Sequence, residues 1–303
     1  MIDRIIEIVG NENVLTNEPM SKHTSFRTGG DANYFINVDD EAALKEIIYI
    51  LRTETVPYYI LGNGSNILVS DEGYDGVILH LAGSFAKTEI NGDRLYAGAA
   101  VPLSVAASRA AEAELTGMEF AHGIPGTVGG ALVMNAGAYG GEMSQIVESV
   151  RLLDQEGQIL EWKTEAMEFG YRTSILKKEP LIALSAVLSL HSGIKSEITG
   201  KMNELMTARK EKQPLEYPSA GSTFKRPEGH FAGKLIQDAG LRGYQIGGAK
   251  VSEKHCGFVI NEGNATSGDI YRLIRDVQKK VKENSGVMME PEVILLGNFG
   301  ENH

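Results

Sequence analysis

The chain has one cysteine, Cys256, so no disulfide can form within it. That fits a reducing compartment. No apolar run approaches the length of a membrane span; the longest, Leu181–Leu190, has the length of a buried strand. The opening MIDRIIEIVGNENV has no signal-peptide core, so a cytoplasmic protein is expected. Clustered cations are missing too. With 29 Lys and Arg against 40 Asp and Glu, the formal net charge is -11. Such a chain repels nucleic acid and anionic membrane, and neither is expected as a partner. The seven histidines are scattered, with no HExxH and no paired cysteines, which argues against a metal site. No nucleophile elbow occurs. Gly243 and Gly248 have phosphate-loop spacing, but Ala249 stands where the lysine is needed.

What the chain does have is glycine, 35 residues of it. The densest stretch is Gly117–Gly141, GMEFAHGIPGTVGGALVMNAGAYGG, with no charged side chain between Glu119 and Glu142. Glycine lets backbone approach a ligand closely, and peptide N–H groups in such a wrap bind anions or flat polar rings. A tightly packed turn region would look the same. A second glycine turn, LGNGSNILVS (Leu61–Ser70), lies between two apolar segments. Ile67 occupies the place of the third glycine of a dinucleotide fingerprint, and a strand comes next instead of a helix. The turn therefore offers amides and the Ser65 and Asn66 side chains without a helix dipole behind them, or it is an ordinary β-turn.

The periodicity predicts helices over Ile2–Val9, from an Asp39 or Asp40 cap through Arg52, from Pro102 to Glu114, over Thr127–Asn135, Ile194–Lys212 and His230–Ala239, and from a Thr266 cap to Asn284. Short strands are expected at Phe35–Val38, Val56–Leu61, Ile67–Val69, Val77–Leu81, Lys87–Ile90, Arg94–Ala97, Leu181–Leu190, Phe258–Asn261 and Val287–Leu296. Val150–Asp154 and Gln158–Trp162 read as a hairpin. Short strands mixed with helices, without regular βαβ alternation, predict an α+β fold.

Three polar residues sit in unusual frames. Arg172 comes after an aromatic in FGYRTS. Ser222 lies in AGSTFKRP, before Lys225 and Arg226. Glu292 lies in MEPEVILL among apolar residues. A carboxylate in an apolar strand is costly unless paired, and its pKa tends to rise. A structural ion pair, a turn residue and an edge-strand carboxylate are the corresponding bland readings. Among the histidines, His122 stands out because it opens the Gly-rich loop.

RTGG (27–30), LGNGSN (61–66), HGIPGTVGGALVMNAGAYGGE (122–142), YRTS (171–174), AGSTFKRP (220–227) and EPEV (290–293) occur in order over almost the whole chain. Together they resemble the UDP-N-acetylenolpyruvoylglucosamine reductase (UDP-N-acetylmuramate dehydrogenase) family, flavoenzymes of peptidoglycan precursor synthesis. The chain has no room between Tyr171 and Leu181 for the tyrosine loop of one family branch, so it is similar to the shorter branch. The resemblance implies an FAD-binding domain of the vanillyl-alcohol-oxidase (PCMH) type in two subdomains, 1–75 and 76–192. A substrate-binding domain, 193–303, comes after them, and the last strand is open to returning to the FAD domain. It implies non-covalent FAD, NADPH as reductant, UDP-N-acetylglucosamine enolpyruvate as substrate, and roles in cell wall biogenesis, cell shape and cell division.

By the same resemblance, FAD is held by Arg27, by Gly62, Asn63, Gly64, Ser65 and Asn66, by Gly123, Ile124, Gly126, Thr127, Gly129 and Gly130, and by Asn135, Ala136 and Gly137. Ser222, Arg172 and Glu292 are the implied catalytic residues. Tyr171, Lys225 and Arg226 are the implied substrate contacts, although Arg226 stands where the other branch has Asn. An FAD oxidoreductase acting on a hydroxy acid, and a flavin- or nucleotide-binding regulatory module, are the competing readings.

Overall fold

The computed structural model describes residues 1–300. The chain forms two compact units, each assembled from separated segments. The first comprises Met1–Thr16, Tyr34–Asn63 and Gly76–Arg209; the second comprises Asn17–Asn33, Gly64–Asp75 and the chain from Lys210 onward. This division differs from the contiguous scheme of 1–75, 76–192 and 193–303. Residues 17–33 and 64–75 join the C-terminal segment through long-range pairing that no local pattern announces.

Helices Ile2–Val9 and Glu41–Thr53 of the first unit cover a four-stranded sheet in the order Val14–Pro19, Asp31–Val38, Tyr74–Leu81, Tyr58–Leu61, of which residues 17–19, 31–33 and 74–75 count with the second unit. The second helix starts where Asp40 accepts the Ala43 amide, and its apolar stripe of Leu44, Ile47, Ile48 and Leu51 is buried. The last two strands of the sheet are parallel, with Tyr58 opposite Val77 and Leu61 opposite His80.

A five-stranded antiparallel sheet carries the rest of this unit, in the order Ile159–Lys163, Val147–Leu153, Ile182–Ser189, Arg94–Gly98, Thr88–Asn91. Helix Leu103–Glu112 presents Ala106, Ala107, Ala110 and Ala111 to the core. Side chains that small let a helix lie close to its neighbours. Helix Val128–Met134 joins the same cluster through Val128, Ala131 and Leu132. Helix Lys195–Lys212 buries Ile198 and Met202, and its residues from Lys210 on belong to the second unit.

The second unit is built on helix Ser267–Ser285. Ile270, Leu273, Ile274, Val277 and Val281 form its buried stripe against Phe26, Leu68, Phe224 and Met289. Strands Gln245–Ile246, Ala249–Val251 and Val259–Asn261 make its sheet, and Ile294–Leu296 pairs in parallel with Ile67–Val69. The expected strand Val287–Leu296 is confined to Ile294–Leu296. Pro291 has no amide to donate to a ladder. The residues before Ile294 pair instead with the AGSTFKRP loop.

No helix among the described residues is long and apolar enough to cross a membrane. No group of three His, Cys, Asp or Glu among them is placed to hold a metal ion.

Candidate functional site

In the first unit the two glycine loops meet. A Cβ on Gly62 would stand 2.7 Å from Thr127 Oγ1, and the Asn63 amide side chain donates to the Pro125 carbonyl at 3.3 Å. Thr127 caps the short helix, its hydroxyl accepting from the Gly130 amide, and Asn135 ends it in the left-handed region at φ 43°. Buried Asn135 also ties the helix end to two later segments. Its side chain donates to the Gly170 carbonyl at 3.1 Å and accepts from the Ser144 amide at 2.9 Å.

Gly170 and Thr173 exchange both backbone hydrogen bonds, leaving Tyr171 and Arg172 at the tip of a tight turn. Arg172 sits at φ 57°, a strained conformation for a residue other than glycine. Its guanidinium donates to the Gly137 carbonyl at 3.1 Å and lies 5.2 Å from the Tyr171 ring centre. Arg172 is thereby delivered to the end of the Gly-rich stretch.

The glycines of the two loops differ in what requires them. Gly64 is at φ 58°, and a Cβ there would collide with the His23 carbonyl oxygen. Gly129 abuts Ala99, whose Cβ and carbonyl oxygen would lie 3.0 and 3.1 Å from an added Cβ. These two are explained by packing. At Gly130 an added Cβ would meet only Thr127 Oγ1 at 3.6 Å, an ordinary contact.

The Gly123–Gly130 loop also holds polar groups without protein partners. The amides of Gly123, Gly126 and Thr127 find no acceptor among the described residues. Nδ1 of His122 is buried with no hydrogen-bond partner there either. Free amides beside glycine suit a diphosphate and the polar edge of a ring, so the residues present fit FAD.

The second unit gathers the other predicted residues. Arg27, exposed and at φ 57°, lies on the loop whose Ser25 amide donates to the Gly64 carbonyl at 3.0 Å. The buried hydroxyl of Ser25 has no partner among the described residues. Ser222 is exposed, while the next residue, Thr223, is buried and anchored. Thr223 donates its amide to Gly257, accepts the Val259 amide on its hydroxyl, and accepts the Glu292 amide on its carbonyl at 2.8 Å. Lys225 donates its amide to the Glu290 carbonyl. The Ser222 and Glu292 segments therefore run side by side, and the Asn66 side chain donates to the Glu292 carbonyl at 3.1 Å. Glu292 precedes the strand and is not an alternating member of it.

The two cations after Ser222 are engaged. Lys225 Nζ is ion-paired with Glu290, and the Arg226 guanidinium lies 3.9 Å over the Phe231 ring and donates to the His230 carbonyl.

Family profiles match both parts of the chain. Residues 32–163 match an FAD binding domain, and residues 213–296 match the UDP-N-acetylenolpyruvoylglucosamine reductase C-terminal domain. A UDP-N-acetylenolpyruvoylglucosamine reductase of Clostridioides difficile is 52% identical over 293 residues, covering 97% of this chain and 96% of that protein. The chain belongs to the UDP-N-acetylenolpyruvoylglucosamine reductase family. A Caldanaerobacter subterraneus reductase of the same name is also 52% identical, over 98% of each chain. The crystal structure of the Thermus caldophilus reductase superposes with a TM-score of 0.81 at 36% identity, over 94% of this chain and 98% of that one. The family carries with it the α+β fold, with an FAD-binding domain and the reductase's C-terminal domain.

Proposed function

We propose that Ser222, Arg172 and Glu292 divide the reductive chemistry of this chain among them. As a reductase of this family, the chain is a flavin-dependent enzyme that uses NADPH to convert UDP-N-acetylglucosamine enolpyruvate to UDP-N-acetylmuramate in peptidoglycan precursor synthesis. The amides of Gly123, Gly126 and Thr127 and the turn from Gly62 to Asn66 would hold FAD, with Arg27, Ile124, Gly129, Gly130, Asn135, Ala136 and Gly137 around it, and the cofactor would supply the hydride chemistry that links NADPH to C3 of the enolpyruvyl ether.

Arg172 stabilises the charge that develops toward the substrate carboxylate as C3 is reduced. Its backbone strain and its bond to the Gly137 carbonyl support this role, because they fix the guanidinium before substrate arrives. Ser222 gives the proton to C2. A hydroxyl is a weak acid, and Lys225, the cation nearest in sequence, is held by Glu290. Substrate phosphate competing for Lys225 would loosen that pair. Glu292 donates a hydrogen bond to the enol as a neutral acid. Tyr171, Lys225 and Arg226 contact substrate. A cytoplasmic location, and effects on cell shape and division, accord with the nucleotide substrate and its use in the wall.

The observation that carries this reading is the pairing of Thr223 with Glu292, which fixes Ser222 and the carboxylate on adjacent, rigidly bonded segments. Ser222→Ala is expected to keep its FAD and its reduction by NADPH, while reoxidation by the enolpyruvate substrate slows by about 10²–10⁴-fold. Stopped-flow absorbance of the flavin separates the two half-reactions. Reoxidation at the wild-type rate removes Ser222 from the mechanism.

A further inference from the structure

Arg172 holds a left-handed conformation, which persists only where neighbouring bonds over-determine it. Three of those bonds come from the end of helix Val128–Met134. The Ser174 hydroxyl, fully buried, donates to the Val133 carbonyl at 3.0 Å. That carbonyl lies in the last turn of the helix, where carbonyls lack intrahelical donors. The Asn135 side chain donates to the Gly170 carbonyl, and the Arg172 guanidinium reaches the Gly137 carbonyl. Positions 133, 135 and 137 thus grip the turn at 174, 170 and 172.

Asn135 is the middle of this mount, and its side chain offers little to a ligand. It is 1% exposed, so almost none of its surface can face a cofactor or substrate. Both ends of its amide are taken. A carbonyl can only accept and a peptide N–H can only donate, so the Gly170 carbonyl and the Ser144 amide fix which end points where. Its own left-handed backbone suits asparagine, which visits that region more readily than most residues. The side chain therefore joins three segments: the helix end, the Met143–Gln145 turn and the base of the Arg172 turn.

We infer that Asn135 is a positioning residue for Arg172, holding the guanidinium in register for the substrate carboxylate. This rests on the reading of Arg172 as the group that stabilises charge toward that carboxylate. Around the cofactor Asn135 serves as support, its side chain already taken up by protein. Removing that side chain frees the Gly170 carbonyl and lets the strained turn relax. A shift of the guanidinium by about 1 Å is enough to cost on the order of 10²-fold in rate.

The test uses holoenzyme and stopped-flow flavin absorbance, with Asn135→Gly made in wild type and in Arg172→Ala. Glycine keeps the left-handed backbone and deletes only the side chain. In wild type, Asn135→Gly is expected to slow reoxidation by saturating enolpyruvate substrate by about 10–10²-fold, while reduction by NADPH and retention of FAD stay as they were. In Arg172→Ala the same change is expected to slow reoxidation by less than about twofold, because the group it positions is gone. Asn135→Asp keeps the Ser144 bond and loses the donor to Gly170, and it must show the same dependence on Arg172 if the glycine variant fails to fold. Equal slowing in both backgrounds, faster FAD release, or reoxidation at the wild-type rate in Asn135→Gly overturns the role of Asn135 alone. Arg172→Ala that reoxidises at the wild-type rate would sink the assignment of Arg172, and this inference with it.

Discussion

At the residue scale, glycines that sequence alone treats alike separate into two groups. Gly129 is held against Ala99, so Gly129→Ala disturbs packing whatever the ligand does. Gly130 is exposed, in a helix, with room for a side chain. Gly130→Val is therefore expected to fold, melting no lower than flavin-stripped wild type, since glycine is a poor helix residue. It should nevertheless purify colourless, because the added methyls occupy the space proposed for FAD. Yellow Gly130→Val removes Gly130 from the cofactor site. Ser222, Arg172 and Glu292, proposed as catalytic, were picked out by short motifs of unusual composition and by the family resemblance those motifs carry. The orphaned amides of Gly123, Gly126 and Thr127 were not, because an unpaired N–H leaves no mark on side-chain composition.

At the element scale, long periodic segments were predicted well, and so were several short strands such as Ile67–Val69 and Arg94–Gly98, while others were not. Helix Ser267–Ser285 has the Thr266 cap and Asp269 partner that its sequence announces. Strands Gln245–Ile246 and Ala249–Val251 were missed because two or three residues carry no period. Val287–Leu296 was overread, since an apolar run reveals neither Pro291's missing donor nor the loop that pairs with it. The capping box extends beyond the helix. Asp269 accepts the Thr266 amide at 3.2 Å, the Gly248 amide at 3.3 Å and the Arg272 guanidinium at 2.6 Å. Burial alone would raise its pKa, but these donors outweigh it and hold the carboxyl below its usual range. A depressed carboxyl stabilises the fold above its unfolded pKa and ceases to do so as pH falls through the folded value. Asp269→Asn should cost about 1–3 kcal/mol at neutral pH. Urea midpoints taken toward acid should converge with those of wild type below the ordinary aspartate range. A gap that stays constant to the lowest pH at which both variants fold would mean the charge contributes nothing.

At the scale of the whole molecule, a chain of formal charge -11 has to hold anionic ligands. Local donors must therefore outweigh the global field, and the donors proposed for this are the backbone amides of the Gly123 loop and the Arg172 guanidinium rather than a basic surface. The same economy bears on whether FAD is bonded to the protein. Two nucleophiles come into question. Cys256 is buried in the second unit, and burial raises its thiol pKa, which keeps it from the thiolate state that attack requires. His122 adjoins the Gly123 loop with its Nδ1 buried and unpartnered, so it is the one candidate with position in its favour. Yet a hydrogen bond from a ligand satisfies that nitrogen as well as a covalent bond does, and the free amides supply further contacts without one. FAD is accordingly expected to be non-covalent. Acid precipitation should leave a white pellet and a yellow supernatant. Colour that remains in the pellet of wild type and moves to the supernatant in His122→Ala would overturn this and identify the imidazole as the point of attachment.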